Sequence, residues 1–290
     1  MWQIVVNSLI GASVYGLIAV GFVLIYRTAN FFHFAHAASF TAGPYFVYLF
    51  KNNLDFPLVL SVVLAIGCSA VLGILMEIIV FRYLRRRESP SIVFLLASLS
   101  MYIVLQNIIS LIFGDSQLSI RNGVLHISEG IDVFDAYVTS IQAITISTYF
   151  ILFIAISIFL AKTKIGIAMR SVANDSAFAN ISGIDSEKII LWTFGASSAF
   201  AGVAGILVGM DIDITPNMGM SPMLMVVVVV IIGGAGNIIG SAIGALLLAT
   251  VQQFGAWKFG SEWQDSIAFV LLLLFLLIRP QGVVARKTIM

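Results

Sequence analysis

The sequence predicts an all-α, polytopic transmembrane helical bundle of about 8–9 spans or half-spans, and three observations carry that prediction. Of the 290 residues, 60% are hydrophobic and 10% are charged, with a mean hydropathy of +1.06; soluble domains carry roughly 25% charged residues. Several apolar runs reach the ~20 residues needed to cross a bilayer. The polar breaks between them are short, and Lys and Arg gather at only some of them. A transmembrane β-barrel would instead show short segments of alternating polarity.

Composition also bounds function. The chain reads as a single membrane domain over 1–290, with no Walker motif, nucleotide fold or extended hydrophilic tail. A net charge of +1 gives no footprint for nucleic acid. The one cysteine, Cys68, lies in an apolar run and supports neither a disulfide framework nor a thiolate metal site. The first apolar run has no basic leader and no small-residue cleavage pattern, so it is expected to be a retained helix.

The elements follow in order. Ile4 to Tyr26 is the first span, closed by Arg27. Asn30 to Phe50 is apolar but holds His33, His36 and a Gly43-Pro44 pair that should break or kink a helix. The third span, Phe56 to about Val80, leads into Arg82, Arg85, Arg86 and Arg87, and the fourth runs from about Ser91 to Phe113. Segment 114–140 is the longest polar stretch, with Asp115, Glu129, Asp132 and Asp135 against Arg121. Ile141 to Leu160 and Ile189 to Met210 are the fifth and sixth spans. They enclose a polar island, 162–188, expected to form one short amphipathic helix from Gly166 to about Ala179 and a turn at Gly183. Asp211 and Asp213 open a short loop rich in Pro, Gly and Met. Ser221 to Phe254 is then apolar but interrupted by GGAGNIIG, Gly233 to Gly240, and a last span, about Trp263 to Ile278, ends in RPQG and a basic tail.

Loop charge sets the orientation. With Arg82 to Arg87 placed in the cytoplasm, Arg27 and the 162–188 island also fall inside, and the acidic 114–140 loop falls outside. A chain break at the glycines brings Arg279, Arg286 and Lys287 inside as well. The N-terminus is then periplasmic and the C-terminus cytoplasmic. Ser221 to Ile232 is too short for a full crossing at ~1.5 Å per residue. It is expected as a half-helix or re-entrant element buried in protein or facing a cavity.

Within that frame some residues stand out. The island offers Ile167, Met169, Val172 and Phe178 as apolar anchors for a docked partner, with Arg170 and Asp175 at a polar rim; the plain alternative is a surface helix on the headgroups. His33 and His36 share a helix face and sit at membrane depth, where polar groups are functional candidates. They either line a translocation path or hydrogen-bond within the bundle; no carboxylate is near enough in sequence to make a metal site. Glu77, about one turn before Arg82, can snorkel or form a structural ion pair at the cytoplasmic interface. Gln106 and Asn107 bind helix to helix or line a pore. Gly233, Gly234, Gly236 and Asn237 lack the Lys-Ser/Thr of a phosphate loop and read as a backbone break. Gly202 and Gly205, with Ala201 and Ala204, give the sixth span a small-residue face for close packing.

Several of these stretches together resemble a known family. GIAMRSVANDSAFANISGI followed by AFAGVAGIL, then HFAHAASFTAGPY, LLASLSMYIVLQNIISLIFG, GGAGNIIGSAIGALLL and RPQG are similar to segments of the permease subunits of branched-chain amino acid ABC importers. They cover nearly the whole chain. The length fits the LivH-like subunit better than its longer LivM-like partner. Two positions depart from the family pattern: His33 stands where the family has Asn, and Ala37 where it has Gly.

The resemblance implies alternating access driven by two ATP-binding subunits, a second, LivM-like permease and a periplasmic substrate-binding protein. ATP and magnesium would be held by the partner ATPases, and this chain would carry no cofactor, metal or catalytic residue of its own. It would be embedded in the bacterial inner membrane. The resemblance further makes Gly166, Met169, Arg170, Val172, Asp175, Ala177 and Gly183 the expected ATPase-coupling residues. The expected translocation path takes in His33, His36, Gln106, Asn107, Gly233, Gly234, Gly236 and Asn237. Two alternatives stay open: the same architecture importing urea, short amides or carboxylates, and a proton-coupled secondary transporter using His33, His36 or Glu77.

Overall fold

A computed structural model describes residues 1–120, 130–133 and 136–284. Arg121, His126, Glu129 and Asp135 of the polar loop, and Arg286 and Lys287 of the tail, lie outside the described residues. Among the described residues seven helices are long and apolar enough to cross a membrane, and two shorter ones, His36–Tyr48 and Met220–Gly233, lie among them. The chain is therefore a multi-pass helical membrane protein.

The order is α1 (Trp2–Ala29), α2 (His36–Tyr48), α3 (Leu58–Met76), a π turn (Glu77–Phe81) that continues into α4 (Arg82–Arg86), and α5 (Ser91–Phe113). A small antiparallel hairpin follows, β1 (Gly130–Val133) and β2 (Ala136–Thr139), within what the sequence presents only as a polar loop. Then come α6 (Ser140–Lys162), α7 (Lys164–Asn174), α8 (Ser176–Ile181), α9 (Ser186–Asp211), α10 (Met220–Gly233), α11 (Ile238–Phe259) and α12 (Gln264–Ile278). Burial separates a centre from a periphery. The most apolar windows of α1 and α9 are 72% and 61% buried, whereas those of α3, α5 and α6 reach 17–22% and that of the final span 6%. The outer helices keep apolar faces for lipid or partner helices.

The centre is held by the small-residue face of α9. Gly202 lies against Ser69 of α3, and a side chain at Gly43 of α2 would meet the Gly202 carbonyl at 2.6 Å. This close approach also settles the fate of Pro44, which sits inside α2 without ending it. Proline has no N–H to give to Phe40, four residues earlier. The Phe40 carbonyl instead points at Gly205, where any Cβ would overlap it. Of the expected break or kink at Gly43-Pro44, the break does not occur, because a neighbouring helix without a side chain covers the freed carbonyl. Ser98 of α5 accepts a hydrogen bond from the Phe34 N–H at 3.1 Å, serving the turn that enters α2.

The expected break at Gly233–Gly240 is present. α10 is a 14-residue half-helix, mostly buried, that stops at Gly233; Gly234 and Gly236 take φ of 104° and 85°, and α11 begins at Ile238. A Cβ on Gly233 would strike the Gly240 backbone, so the two helix ends touch main chain to main chain. The chain after α12 returns to this point: Val283 and Val284 donate N–H bonds to the carbonyls of Ile232 and Gly233 at 2.7 and 3.1 Å. The half-helix thus has its orphan C-terminal acceptors satisfied by the tail.

Glu77 forms the expected ion pair, but beneath the surface. Its side chain is fully buried and pairs with Arg85, not Arg82. The π turn at Glu77–Phe81 widens the helix by one residue and shifts the arginine register, leaving Arg82 to reach Glu187 of α9 at 3.5 Å.

Two outcomes follow. Gly205→Val should destabilise the bundle by about 1–3 kcal/mol or more through overpacking, read as a lower thermal transition of the purified protein, while Ala204→Gly should have a far smaller effect. Arg85→Ala should cost about 3–5 kcal/mol by stranding the buried Glu77 carboxylate, and pairing it with Glu77→Leu should recover most of the loss.

Candidate functional site

The candidate functional surface is built at the end of the bundle that carries the arginines. α6 ends at Lys162, and Thr163 caps α7 by accepting the Gly166 N–H at 3.0 Å. Gly166 is required there, since a Cβ would collide with the backbone of Phe159 and Leu160. The expected single amphipathic helix is two helices. Asp175 leaves the helical region (φ −155°, ψ 109°), and its carboxylate accepts the N–H groups of Ala177 and Phe178 at 2.9 Å, so it restarts the chain as α8. Gly183, at φ 84°, ends α8. Ser186 then locks the turn: its N–H donates to Asn180 Oδ1 at 3.0 Å and its hydroxyl to the Ser176 carbonyl at 3.1 Å.

The two faces of this segment have different partners. Gly166, Met169, Val172 and Ala179 are buried against the bundle. Met169 and Val172 therefore fasten the segment to its own domain and are not the exposed anchors the sequence suggested. Arg170 is likewise turned inward, donating to the Ala161 carbonyl at 3.4 Å at the end of α6. Ile165, Ile167, Phe178 and Ile181 are the exposed apolar side chains, Phe178 at 67% and Ile181 at 85%. Asp175, Ala177 and Gly183 are exposed beside them.

A cleft of about 610 Å³ opens next to this face, between the end of α1 (Arg27, Asn30), α4 (Arg85, Arg86) and the α7–α8–α9 corner (Asp175, Asn180, Glu187). Glu187 in the first turn of α9 is the hub of its charges, bonded to Arg86 at 3.0 and 3.1 Å and facing Arg82 at 3.5 Å. Those contacts tie the end of α3–α4 to the base of α9. The neighbouring Asp185 caps α9; the Lys188 backbone N–H, then its side chain, hold that carboxyl below the usual carboxylate range. Glu187 gave a weak sequence signal, an acidic residue at a helix start, but its two arginines lie about a hundred positions away.

The other candidates separate. His33 and His36 are fully buried in the interior, with ring centroids 6.2 Å apart. Phe81 and Phe194 stand edge-on to His33 at 4.9 and 5.0 Å. They pack the interior of the chain here. Gln106 and Asn107 lie on the outer flank of α5, at the opposite end of the bundle. Gln106 donates to Asn217, an exposed residue before α10 that sequence reading did not single out. Gly233, Gly234 and Gly236 form the turn described above, and Asn237 caps α11 by accepting the Gly240 N–H at 3.0 Å. Among the described residues no group of three or more metal-ligating side chains comes together.

The comparisons with known proteins agree with this architecture. The chain is 31% identical to the high-affinity branched-chain amino acid transport system permease protein BraD of Pseudomonas aeruginosa, over 99% of this chain and 96% of that protein. It is 29% identical to the corresponding permease LivH of Escherichia coli K12, over 98% and 95% of the two chains. In solved structures, it is similar in fold to PsaBC from Streptococcus pneumoniae in complex with Fab, with a TM-score of 0.52 and 13% identity, covering 95% of this chain and 91% of that one. The model of the branched-chain amino acid transport system / permease component family matches residues 4–276, and the chain belongs to that family.

Proposed function

We propose that the chain is the LivH-like permease half of an ATP-driven importer of branched-chain amino acids in the bacterial inner membrane, docked to its ATPase through α7 and α8. The observation that carries this reading is the two-sidedness of that segment. One face is fixed to the bundle by Met169, Val172 and Ala179, and the other exposes Phe178 and Ile181 beside a polar cleft. Exposed apolar side chains rimmed by polar groups are the mark of a protein interface. The arginines gathered at this end support a cytoplasmic location by the loop-charge rule, and with it a periplasmic N-terminus and a cytoplasmic C-terminus.

Transmission follows from the connections. α8 joins α9 through the Asn180–Ser186 lock, and α9 is the buried axis on which α2 and α3 pack. The Glu187 contacts with Arg82 and Arg86 make α4 move with the base of α9. A push on α8 is thereby delivered to the helices at the centre of the bundle, not to a lipid-facing one. ATP and magnesium are held by two separate ATP-binding subunits, and this chain hydrolyses nothing. A second, LivM-like permease completes the path, and a periplasmic binding protein delivers the amino acid. On this reading the polar flank formed by Gln106, Asn107 and Asn217 faces the path shared with the second permease, and the buried histidines have no contact with the cargo.

In the reconstituted importer, Phe178→Glu and Ile181→Glu should each lower substrate-stimulated ATP hydrolysis and uptake at least tenfold while the permease still assembles in the membrane. Ser182→Glu, a polar exchange on the exposed turn after α8, should change either rate less than twofold. Uptake that persists in both variants and follows the proton gradient would overturn the reading.

A further inference from the structure

At the end of the bundle opposite the arginines, α3 and α6 stand apart and leave a groove of about 430 Å³ whose floor is α9. Its walls are Val62 and Ile66 of α3 and Ile144 and Leu152 of α6; Val203 and Leu207 form the floor. Thr148 is the one polar residue in the lining. A polar solute or charged peptide finds nothing to bond there, so the occupant is apolar.

The dimensions identify it further. The lining of α3 runs from Leu58 to Ile66 and that of α6 from Ile141 to Leu152, or roughly 12–16 Å at ~1.5 Å per residue. That is about half of the ~30 Å hydrocarbon core, the depth of one leaflet. A transmembrane helix of a partner subunit, built to the full ~30 Å, does not match that depth. A single hydrocarbon chain does.

The mouth of the groove selects a headgroup. Ile141 and Met210 are adjacent there to Gln142 and Asp211, whose side chains meet at 3.4 Å, and Asp213 follows in the exposed loop. α3, α6 and α9 carry no Lys or Arg at this end. The Asp211 and Asp213 carboxylates offer a cationic group an ion-pair partner; Lys51, also at this end, is held to the Ile120 carbonyl at 2.6 Å.

We propose that this groove is a lipid site: it holds one acyl chain of a phospholipid from the leaflet at the acidic end, with the lipid's primary amine against Asp211. The bound chain fills the gap between α3 and α6 and braces the half of α9 farthest from the coupling segment. The site does not depend on the ATPase reading, because its test measures bound lipid.

The test is native mass spectrometry of the assembled importer extracted from bilayers of mixed phosphatidylethanolamine and phosphatidylglycerol, then progressively delipidated. One phosphatidylethanolamine per copy of this chain should outlast the surrounding lipids. Thr148→Phe on the wall and Val203→Phe on the floor should each reduce its retention at least fivefold, and Asp211→Asn should abolish the preference over phosphatidylglycerol. Because Val203→Phe can disturb folding, Thr148→Phe on the half-buried wall serves as the second probe. Several results would overturn the proposal: no lipid outlasting the rest, retention in both phenylalanine variants equal to that of the unsubstituted chain, or preferential retention of phosphatidylglycerol. Efficient cross-linking of Ile144→Cys, in a Cys68→Ser background, to the second permease subunit would do so too, by showing a protein in the groove.

Discussion

The contact of α9 with α2 and α3 is the constraint on which the rest of the structure depends. A helix that contains Pro44 can run through a membrane interior only if something covers the carbonyl that proline leaves without a donor. Gly205 does so by having no side chain, and the same glycine-lined face lets Gly43 of α2 and Ser69 of α3 come within contact of Gly202. α9 is thus pinned along its length. That pinning makes it an effective lever, because displacement of its base cannot be absorbed by loose packing.

The half-helix α10 shows the same principle at a different place. Its C-terminal carbonyls end inside the protein, and the residues after α12 return to satisfy two of them. The last strand of chain is therefore part of the core's hydrogen-bond accounting. At the opposite end, Leu118 and Ile214 exchange backbone bonds at 3.1 and 2.8 Å, Lys51 donates to the Ile120 carbonyl, and Gln3 pairs with the Tyr137 backbone in both directions. Loops far apart in sequence close that face, while the arginine end is left open around the α7–α8 corner.

Much of this was legible in the sequence because a bilayer imposes length and polarity on every crossing. The spans, the break at Gly233–Gly240 and the small-residue face of α9 all leave compositional marks within one stretch of chain. What was not legible depends on partners distant in sequence. Pro44 signals a break until Gly205 is known to lie across it. Met169 and Val172 look like docking anchors until the bundle is seen beneath them. Asp175 reads as a rim charge, but its backbone angle makes it a cap that splits one helix in two. Glu77 points to Arg82 by helical spacing, and the π turn redirects it to Arg85. The histidine pair attracted attention by its membrane depth, yet its neighbours are phenylalanine rings.

The central claim is that the outward face of α7–α8 is the surface on which the ATPase acts. The most direct measurement is site-specific cross-linking in the assembled importer, with the native cysteine replaced by Cys68→Ser and single cysteines introduced at Ala177 and at Val172. The account predicts that Ala177→Cys joins the ATP-binding subunit with a yield that changes between nucleotide-free and ATP-bound states, while the buried Val172→Cys does not react. Cross-linking at Val172 in preference to Ala177, or none at Ala177 in any nucleotide state, would contradict it.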